Sequence, residues 1–503
     1  MSSSTTGRVT RNAALEMSAA EFRTLGHQLV DRLAAFLEEL PEGPVTHDST
    51  PARLQAVLGN RALPDKGESP ARIVEDATEL LMQHSLFNGH PKFWGFITSS
   101  AAPIGALADF MVATVNPNVG GWLIAPIASE IERQTVRWIA EFVGYPASAG
   151  GLLVSGGNLA NFVGFWVGRR VRTPWDVRTI GLDESARPLR VYVSQETHTW
   201  IQKATDLSGL GTNAIRWIET DRQLRMDTRA LRRQIEADRA AGDLPIMLVG
   251  TAGSVSTGAI DALGDIAAIC REHNLWFHVD GAYGAPAATL PEAPADLKAL
   301  AFADSLAIDP HKWLYAPLEA GCALVRDAQA LRDTFSFHPS YYPEREESTL
   351  EAPIFYHEFG PQNSRGFRAL KVWMGLRQAG RSGGISMIEE DIALAKQLYD
   401  KAAAHAELEA LTQSLSITTF RYVPPALRAE RSHADEAYLD GLNREIMNRL
   451  QAGGEAFVTH AVIRERFALR ACVVNFRTTA ADIDDLIELV IRVGRELHAG
   501  REA

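Results

Sequence analysis

The chain has 503 residues, of which 46% are hydrophobic and 22% are charged, and its formal net charge is −12. This length is too great for one simple core, so we expect two or three packed regions. The acidic balance disfavours nucleic acid and anionic membranes as partners. The three cysteines, Cys270, Cys322 and Cys472, lie far apart in the sequence. They predict neither a disulfide framework nor a metal site.

The N-terminal region predicts no secretory signal, because its first residues are polar and lack an apolar stretch. No run of about eighteen uncharged apolar residues occurs anywhere, which argues against a spanning helix and for a cytoplasmic protein. Ser18 precedes Glu21 in the pattern of a helix capping box, and apolar residues continue at helical spacing as far as Pro41. A single helix cannot bury its own core, so we expect this arm to pack on a partner.

Between about residue 90 and residue 380, short β-rich runs alternate with amphipathic stretches. The clearest strands are predicted at 190–194, 246–250, 276–280 and 305–309. Apolar strands that alternate with helices predict an α/β fold with a mostly parallel sheet covered on both faces.

The last quarter of the chain has a different pattern. A long helical stretch is predicted from about 385 to 411, followed by short strands at 417–422 and 468–475 and then helices. This predicts a smaller α+β domain. The resulting division of the chain is 1–90 for a tail and helical arm, 91–380 for the large domain and 381–503 for the small domain.

Two runs near the middle of the chain carry groups suited to pyridoxal 5'-phosphate. One apolar strand ends at Asp280, and a later one ends just before His311 and Lys312. A lysine amine can bind the aldehyde of this cofactor, and a carboxylate can pair with its ring nitrogen. An Asp that ends an apolar strand also needs a cationic partner to compensate for its burial. These residues predict an enzyme of amino-acid chemistry.

Two further features of the sequence are weaker indications of a cofactor site when taken alone. Residues 150–161 form a glycine-rich turn before an apolar helix, which favours a phosphate but also fits an ordinary tight turn. His198 follows a strand, where an imidazole could stack on the cofactor ring, although most loop histidines have no such role.

With these runs in this order, the chain resembles the group II pyridoxal-phosphate-dependent decarboxylases, of the aromatic-L-amino-acid decarboxylase type. The segments that carry the resemblance are 22–40 (N-terminal arm), 90–94 (substrate wall), 155–157 (phosphate turn), 280–283, 309–313 and 364–371. It implies a type I, aspartate aminotransferase-like fold of pyridoxal-phosphate-dependent enzymes, with a helical arm and a large and a small domain. It also implies a homodimer with shared active sites.

The resemblance also implies a role for each matching residue. Lys312 would hold the cofactor covalently, Asp280 would pair with its ring nitrogen and His198 would stack on its ring. The other predicted cofactor contacts are Gly156, Gly157, Asn158, Thr251, Ala282, Asp309 and His311. The predicted substrate pocket comprises Phe93, Phe96, Thr98 and Trp122. Asp309 stands where the animal enzymes have Asn, and its charge would repel a phosphate unless it points away.

The implied reaction releases the α-carboxylate of an L-amino acid as carbon dioxide and returns a proton to Cα. Counting back from Arg368 assigns the proton-donating loop tyrosine to Tyr356, with Tyr341 and Tyr342 as alternatives. The aromatic residues between Phe93 and Trp122 favour an aromatic substrate.

Two alternatives remain within the same family. An aldehyde synthase is linked in the family to Phe at the position of the loop tyrosine. Decarboxylation of an acidic amino acid such as glutamate would require an arginine in the pocket, and none is evident from the sequence.

Overall fold

The structure, a computed structural model, describes residues 13–47, 49–182, 187–337, 353–429 and 431–502. Its centre is a seven-stranded sheet of β1 (Gly150–Val154), β2 (Leu189–Ser194), β3 (Ile215–Ile218), β4 (Leu244–Thr251), β5 (Trp276–Asp280), β6 (Ser305–Ile308) and β7 (Gly321–Val325). The strand order is β1-β7-β6-β5-β4-β2-β3. Only β7 runs antiparallel to its neighbours within this sheet, so the other six strands end at the same edge.

The helices lie before, between and after these strands. They are α1 (Ala19–Glu39), α2 (Pro51–Leu58), α3 (Pro70–His84), α4 (Pro103–Val115), α5 (Pro126–Val143), α6 (Gly157–Arg172), α7 (Val177–Ile180), α8 (Trp200–Leu207), α9 (Thr228–Ala240), α10 (Leu263–His273), α11 (Ala295–Lys298), α12 (Ala328–Phe335), α13 (Ala369–Ala404), α14 (His433–Gly453) and α15 (Ala480–Glu502). Within the described ranges, none of them is long and apolar enough to cross a membrane.

A second, antiparallel sheet lies in the C-terminal part of the chain. It is formed by β8 (Leu408–Ser414), β9 (Ile417–Tyr422), β10 (Thr459–Ile463) and β11 (Arg466–Cys472), in the order β10-β11-β9-β8. The second half of α13 packs on it together with α14 and α15, around a separate apolar core. The predicted combination of a mostly parallel sheet with a smaller α+β unit is confirmed.

Local signals in the sequence explain several boundaries. The Ser18 hydroxyl accepts a hydrogen bond from the backbone N–H of Glu21 at 3.1 Å, which caps α1 as predicted. The predicted helix from about 385 begins earlier, at Ala369, and it is interrupted at Gly380, where φ is +64°. Glycine adopts this left-handed conformation at little cost, so the helix can change direction there. The division at 90 and 380 stays a prediction.

Candidate active site

The predicted cofactor residues lie at one edge of the large sheet, where its parallel strands end. Thr251 ends β4 and Asp280 ends β5, and the two residues are directly paired across these strands. Asp309 and Lys312 follow β6, and Gly156 follows β1. Ligands of open α/β sheets bind outside the carboxyl ends of the strands. The topology therefore gathers residues that are distant in sequence into one candidate site.

Lys312 is held in a turn by the carboxylate of Asp309. The Lys312 Nζ lies 3.1 Å from Asp309 Oδ2, and its side chain is 19% exposed. His311 lies beside them, with its Nδ1 2.7 Å from the carbonyl oxygen of Ala320. Desolvation lowers the pKa of His311 in spite of the nearby Asp309 carboxylate. Lys312 is thus the cationic side chain that faces this carboxylate.

Asp280 is buried without an ion-pair partner among the described residues. Its Oδ2 accepts a hydrogen bond from the indole Nε1 of Trp200 at 2.7 Å, and its Oδ1 accepts one from the backbone N–H of Ala282 at 3.2 Å. Both donors are neutral. Since a buried carboxylate is costly without a cation, a protonated ring nitrogen would complete this site.

His198 stands at the exposed mouth of the same site, after β2. Its Nδ1 accepts a hydrogen bond from the backbone N–H of Trp200 at 3.3 Å. Desolvation lowers the pKa of His198, Asp280 opposes this and Lys312 adds to it. The imidazole is therefore neutral near pH 7, with its remaining proton on Nε2.

The conformation and close packing of the turn between β1 and α6 require glycine. Gly156 has φ +99°, and a Cβ on Gly157 would lie 2.5 Å from Asp309 Oδ2 and 3.2 Å from the Cβ of Ala282. No side chain caps the N-terminus of α6, where Asn158 is exposed. Backbone N–H groups at such a terminus favour an anion. The Asp309 carboxylate therefore faces this turn, and the ammonium group of Lys312 compensates its negative charge.

Two buried polar atoms at this edge of the large sheet are also consistent with a bound cofactor. Thr251 Oγ1 and Asp309 Oδ1 are buried, and no residue that the structure describes forms a hydrogen bond with either atom. Buried polar atoms are rarely left in this state unless a ligand or water completes them. Together with the unpaired Asp280 and the glycine turn, they form a site whose residues match pyridoxal phosphate.

The predicted substrate wall forms an aromatic cluster. Phe93 stacks on Phe457 with a centroid distance of 5.3 Å, and the ring of Phe96 lies 6.0 Å from Phe457. Ser99 joins the wall to the lysine turn, because its hydroxyl donates to the carbonyl oxygen of His311 at 2.9 Å. Thr98, half-buried, precedes Ser99.

Comparison with known proteins identifies the family and the fold. The family model "Pyridoxal-dependent decarboxylase conserved domain" matches residues 51–423. An aromatic-L-amino-acid decarboxylase of Bacillus atrophaeus is 32% identical over 95% of this chain and 96% of its own length. This chain belongs to the pyridoxal-dependent decarboxylase family. It is a pyridoxal-phosphate-dependent carboxy-lyase, as the sequence predicted.

Two further relatives show the range of the family. A crystal structure of Oryza sativa TDC with PLP and tryptamine superimposes with a TM-score of 0.88 at 26% identity, covering 96% of this chain and 99% of the other. A phenylacetaldehyde synthase of Petunia hybrida is 27% identical over 90% of each chain. The first similarity confirms the predicted fold of this decarboxylase.

A buried arginine that sequence reasoning did not identify contacts the predicted substrate wall of the decarboxylase. Arg470, on β11, is 2% exposed, and its Nη1 donates to the carbonyl oxygen of Phe96 at 2.9 Å. Its Nε and Nη2 are buried and have no hydrogen-bond partner in the described part of the chain. The fold thus brings an arginine beside the predicted substrate wall, where none was evident from the sequence. No local signal in the sequence links Arg470 to this wall.

Two predicted residues of the decarboxylase lie away from the lysine turn. Trp122 donates from its Nε1 to Glu130 at 2.9 Å, and it is not part of the Phe93 cluster in this chain. Tyr356 is buried, with its ring under the guanidinium of Arg365 at 4.7 Å from the centroid. Tyr356 lines a cavity near Gly150, at the start of β1, whereas the site lies beyond the end of that strand.

The position of Tyr356 does not support its prediction as proton donor. The neighbouring His357 anchors the turn, because its backbone N–H donates to the carbonyl oxygen of Gly120 at 3.0 Å. The Tyr356 hydroxyl is buried, and burial raises its pKa well above the ordinary value. The alternative donors, Tyr341 and Tyr342, lie outside the described residues.

Proposed function

We propose that this decarboxylase converts an aromatic L-amino acid into the corresponding amine and carbon dioxide. The observation that carries the proposal is the aromatic cluster of Phe93, Phe96 and Phe457, which Ser99 joins to the Lys312 turn. Aromatic rings favour a flat apolar side chain, because stacked and edge-on ring pairs are stabilising. The names of the Bacillus and Oryza relatives support the same substrate class.

Pyridoxal phosphate, when bound, supplies an electron sink for the pair left on Cα as carbon dioxide departs. Lys312 holds the cofactor, and it is the amine that an incoming substrate would replace. Asp280, a buried carboxylate without a cationic partner among the described residues, would keep the ring nitrogen protonated. The neutral imidazole of His198 would contact the ring. Gly156, Gly157 and Asn158 would hold the phosphate at the start of α6, and Thr251 and Ala282 would contact the cofactor.

We infer that Arg470 binds the substrate carboxylate. Its Nε and Nη2, which have no hydrogen-bond partner among the described residues, are buried near Phe96 of the predicted substrate wall. A guanidinium with free donors matches a carboxylate in two-point geometry. The same group could instead hold an acidic side chain, so the substrate panel below includes acidic amino acids.

The proposed assembly is a homodimer. Large apolar side chains are exposed on α1 and α4 and at the start of α5, where a second copy would cover them. They are Phe22, Val30, Leu33, Leu37, Leu107, Phe110, Met111, Val115, Leu123, Ile124 and Ile127. Apolar exposure on this scale is unusual for a monomer. Trp122 adjoins this surface and so would approach the site of the other subunit. Sedimentation of the holoenzyme tests the assembly, and a monomer at micromolar concentration would refute it.

The test of function is a substrate panel with the purified holoenzyme. Aromatic, acidic and aliphatic L-amino acids are supplied in turn, and carbon dioxide, amine, aldehyde and hydrogen peroxide are measured. We expect stoichiometric amine and carbon dioxide from an aromatic substrate, with no product from Lys312→Ala. Turnover of acidic amino acids alone would refute the aromatic assignment and give Arg470 the other role.

The panel also tests the alternative that the Petunia relative represents. Aldehyde with hydrogen peroxide in place of amine would assign the chain to the synthases.

A glycine substitution tests the cofactor site. Gly157→Ala should prevent cofactor binding, because the added Cβ would lie 2.5 Å from Asp309 Oδ2. Gly375→Ala is the control, since no atom lies within 4 Å of its added Cβ.

A further inference from the structure

One buried tryptophan contacts both groups that flank the predicted cofactor ring. The indole Nε1 of Trp200 donates to Asp280 Oδ2 at 2.7 Å, and its backbone N–H donates to His198 Nδ1 at 3.3 Å. Trp200 is the first residue of α8 and is fully buried. Trp200 therefore links the Asp280 carboxylate to the His198 imidazole through two hydrogen bonds.

The residues packed beneath Trp200 are neutral. Its ring meets the edge of His278 with a centroid distance of 5.5 Å. His278 is held by Ser305 Oγ at 2.7 Å and by Asn161 Oδ1 at 2.8 Å. Burial lowers the pKa of His278 to about 4, so it carries no charge near neutral pH. Of the two hydrogen bonds to the Asp280 carboxylate, the one from the indole N–H is the shorter.

We propose that Trp200 is the positioning residue of Asp280, and that its indole N–H holds the carboxylate so that its free lone pairs face the cofactor ring nitrogen. This inference rests on the proposed role of Asp280. A carboxylate with one oxygen fixed by the indole and the other by the Ala282 N–H cannot rotate. Without the indole N–H, it loses both its orientation and part of its charge compensation.

The test compares two buried tryptophans that make the same kind of bond. Trp200→Phe removes the indole donor and keeps both the aromatic ring and the backbone N–H to His198. Trp276→Phe is the matched control, because the indole of Trp276 is also buried and donates to Ser305 Oγ at 2.8 Å, not to Asp280. Both variants lose one indole hydrogen bond and the same volume, so a general packing defect would affect them alike.

The first readout is the dissociation constant of pyridoxal phosphate, followed by the visible absorption of the bound cofactor. We expect Trp200→Phe to weaken cofactor binding by about tenfold or more, as for a lost hydrogen bond to a charged group. It should also lower kcat more than it changes KM and alter the pH dependence of the absorption. Trp276→Phe should leave the dissociation constant and the spectrum unchanged.

A double-mutant cycle with Asp280→Asn decides whether the effect passes through the carboxylate. If it does, Trp200→Phe adds little to the loss of binding in the Asp280→Asn background. Independent effects of the two substitutions, or equal effects of Trp200→Phe and Trp276→Phe, would refute the inference. Failure of the unmodified chain to bind pyridoxal phosphate would instead refute the proposed function, so the two outcomes are distinguishable.

Discussion

Asp391, in α13, forms hydrogen bonds with residues of the lysine turn. Replacing it with asparagine should change the pH dependence of the free energy of unfolding. Its Oδ2 accepts hydrogen bonds from Trp313 Nε1 at 2.8 Å and from the hydroxyl of Tyr315 at 2.5 Å. Trp313 directly follows Lys312. Asp391 is 2% exposed, and burial raises its pKa to about 7, against the hydrogen bonds that favour its charged form.

The sign and size of the effect follow from proton linkage. Between the ordinary pKa of 3.8 and about 7, the folded chain holds a proton on Asp391 that the unfolded chain has released. The free energy of unfolding therefore falls as pH rises through this interval, and it stays lowered above pH 7. A difference of about three pKa units corresponds to roughly 4 kcal/mol as an upper bound.

Asp391→Asn removes the ionisation and retains an oxygen that can accept from Trp313 and Tyr315. Denaturant unfolding at about pH 5 and about pH 8 should show that the variant gains stability relative to the unmodified chain as pH rises, by up to a few kcal/mol. Asp400→Asn, on the same helix but exposed and paired with Lys396, is the control and should show no such trend. Equal pH dependence of Asp391→Asn and the unmodified chain would refute the reasoning.

Three further substitutions give independent outcomes. Glu132→Gln breaks the buried ion pair in which Arg365 Nη2 lies 2.5 Å from Glu132 Oε1. It should lower the free energy of unfolding by about 3–5 kcal/mol, because the Arg365 charge is left buried without its partner. A loss below about 1 kcal/mol, which is typical of an exposed ion pair, would contradict this. Tyr356→Phe removes a hydroxyl that has no hydrogen-bond partner within the described ranges, so amine formation and stability should be retained. Aldehyde formation or loss of turnover would instead support Tyr356 as proton donor. Arg470→Met should raise the KM for the amino acid about tenfold or more, without weakening cofactor binding. An unchanged KM in steady-state assays would refute the proposal that Arg470 binds the substrate carboxylate.

The strands that carry the chemistry could be predicted because they are continuous apolar runs. β5 and β6 are buried along their whole length, and each passes directly into a charged residue at its end. Such a transition is visible in a single sequence. Parallel pairing then brings Thr251, Asp280 and Lys312 to one edge without any further information.

Contacts from distant parts of the chain could not be predicted in the same way. Arg470 and Phe457 reach the substrate wall from the C-terminal part of the chain, and nothing local in the sequence links them to Phe93. β8 was missed because most of its side chains are only half-buried and their polarity does not alternate clearly. Counting residues assigned Tyr356 to the site, but a buried turn anchored on Gly120 places it elsewhere.

Two buried charged side chains near the site indicate which ligands it requires. Among the described residues, Asp280 has no cationic partner and Arg470 has no anionic one, although both are buried. Each is costly until a charge of opposite sign arrives. In the proposed function, a protonated pyridine ring would supply the first and an amino-acid carboxylate the second, whereas the charge of Asp309 is paired with Lys312. Cofactor and substrate should therefore each stabilise the fold in proportion to their binding.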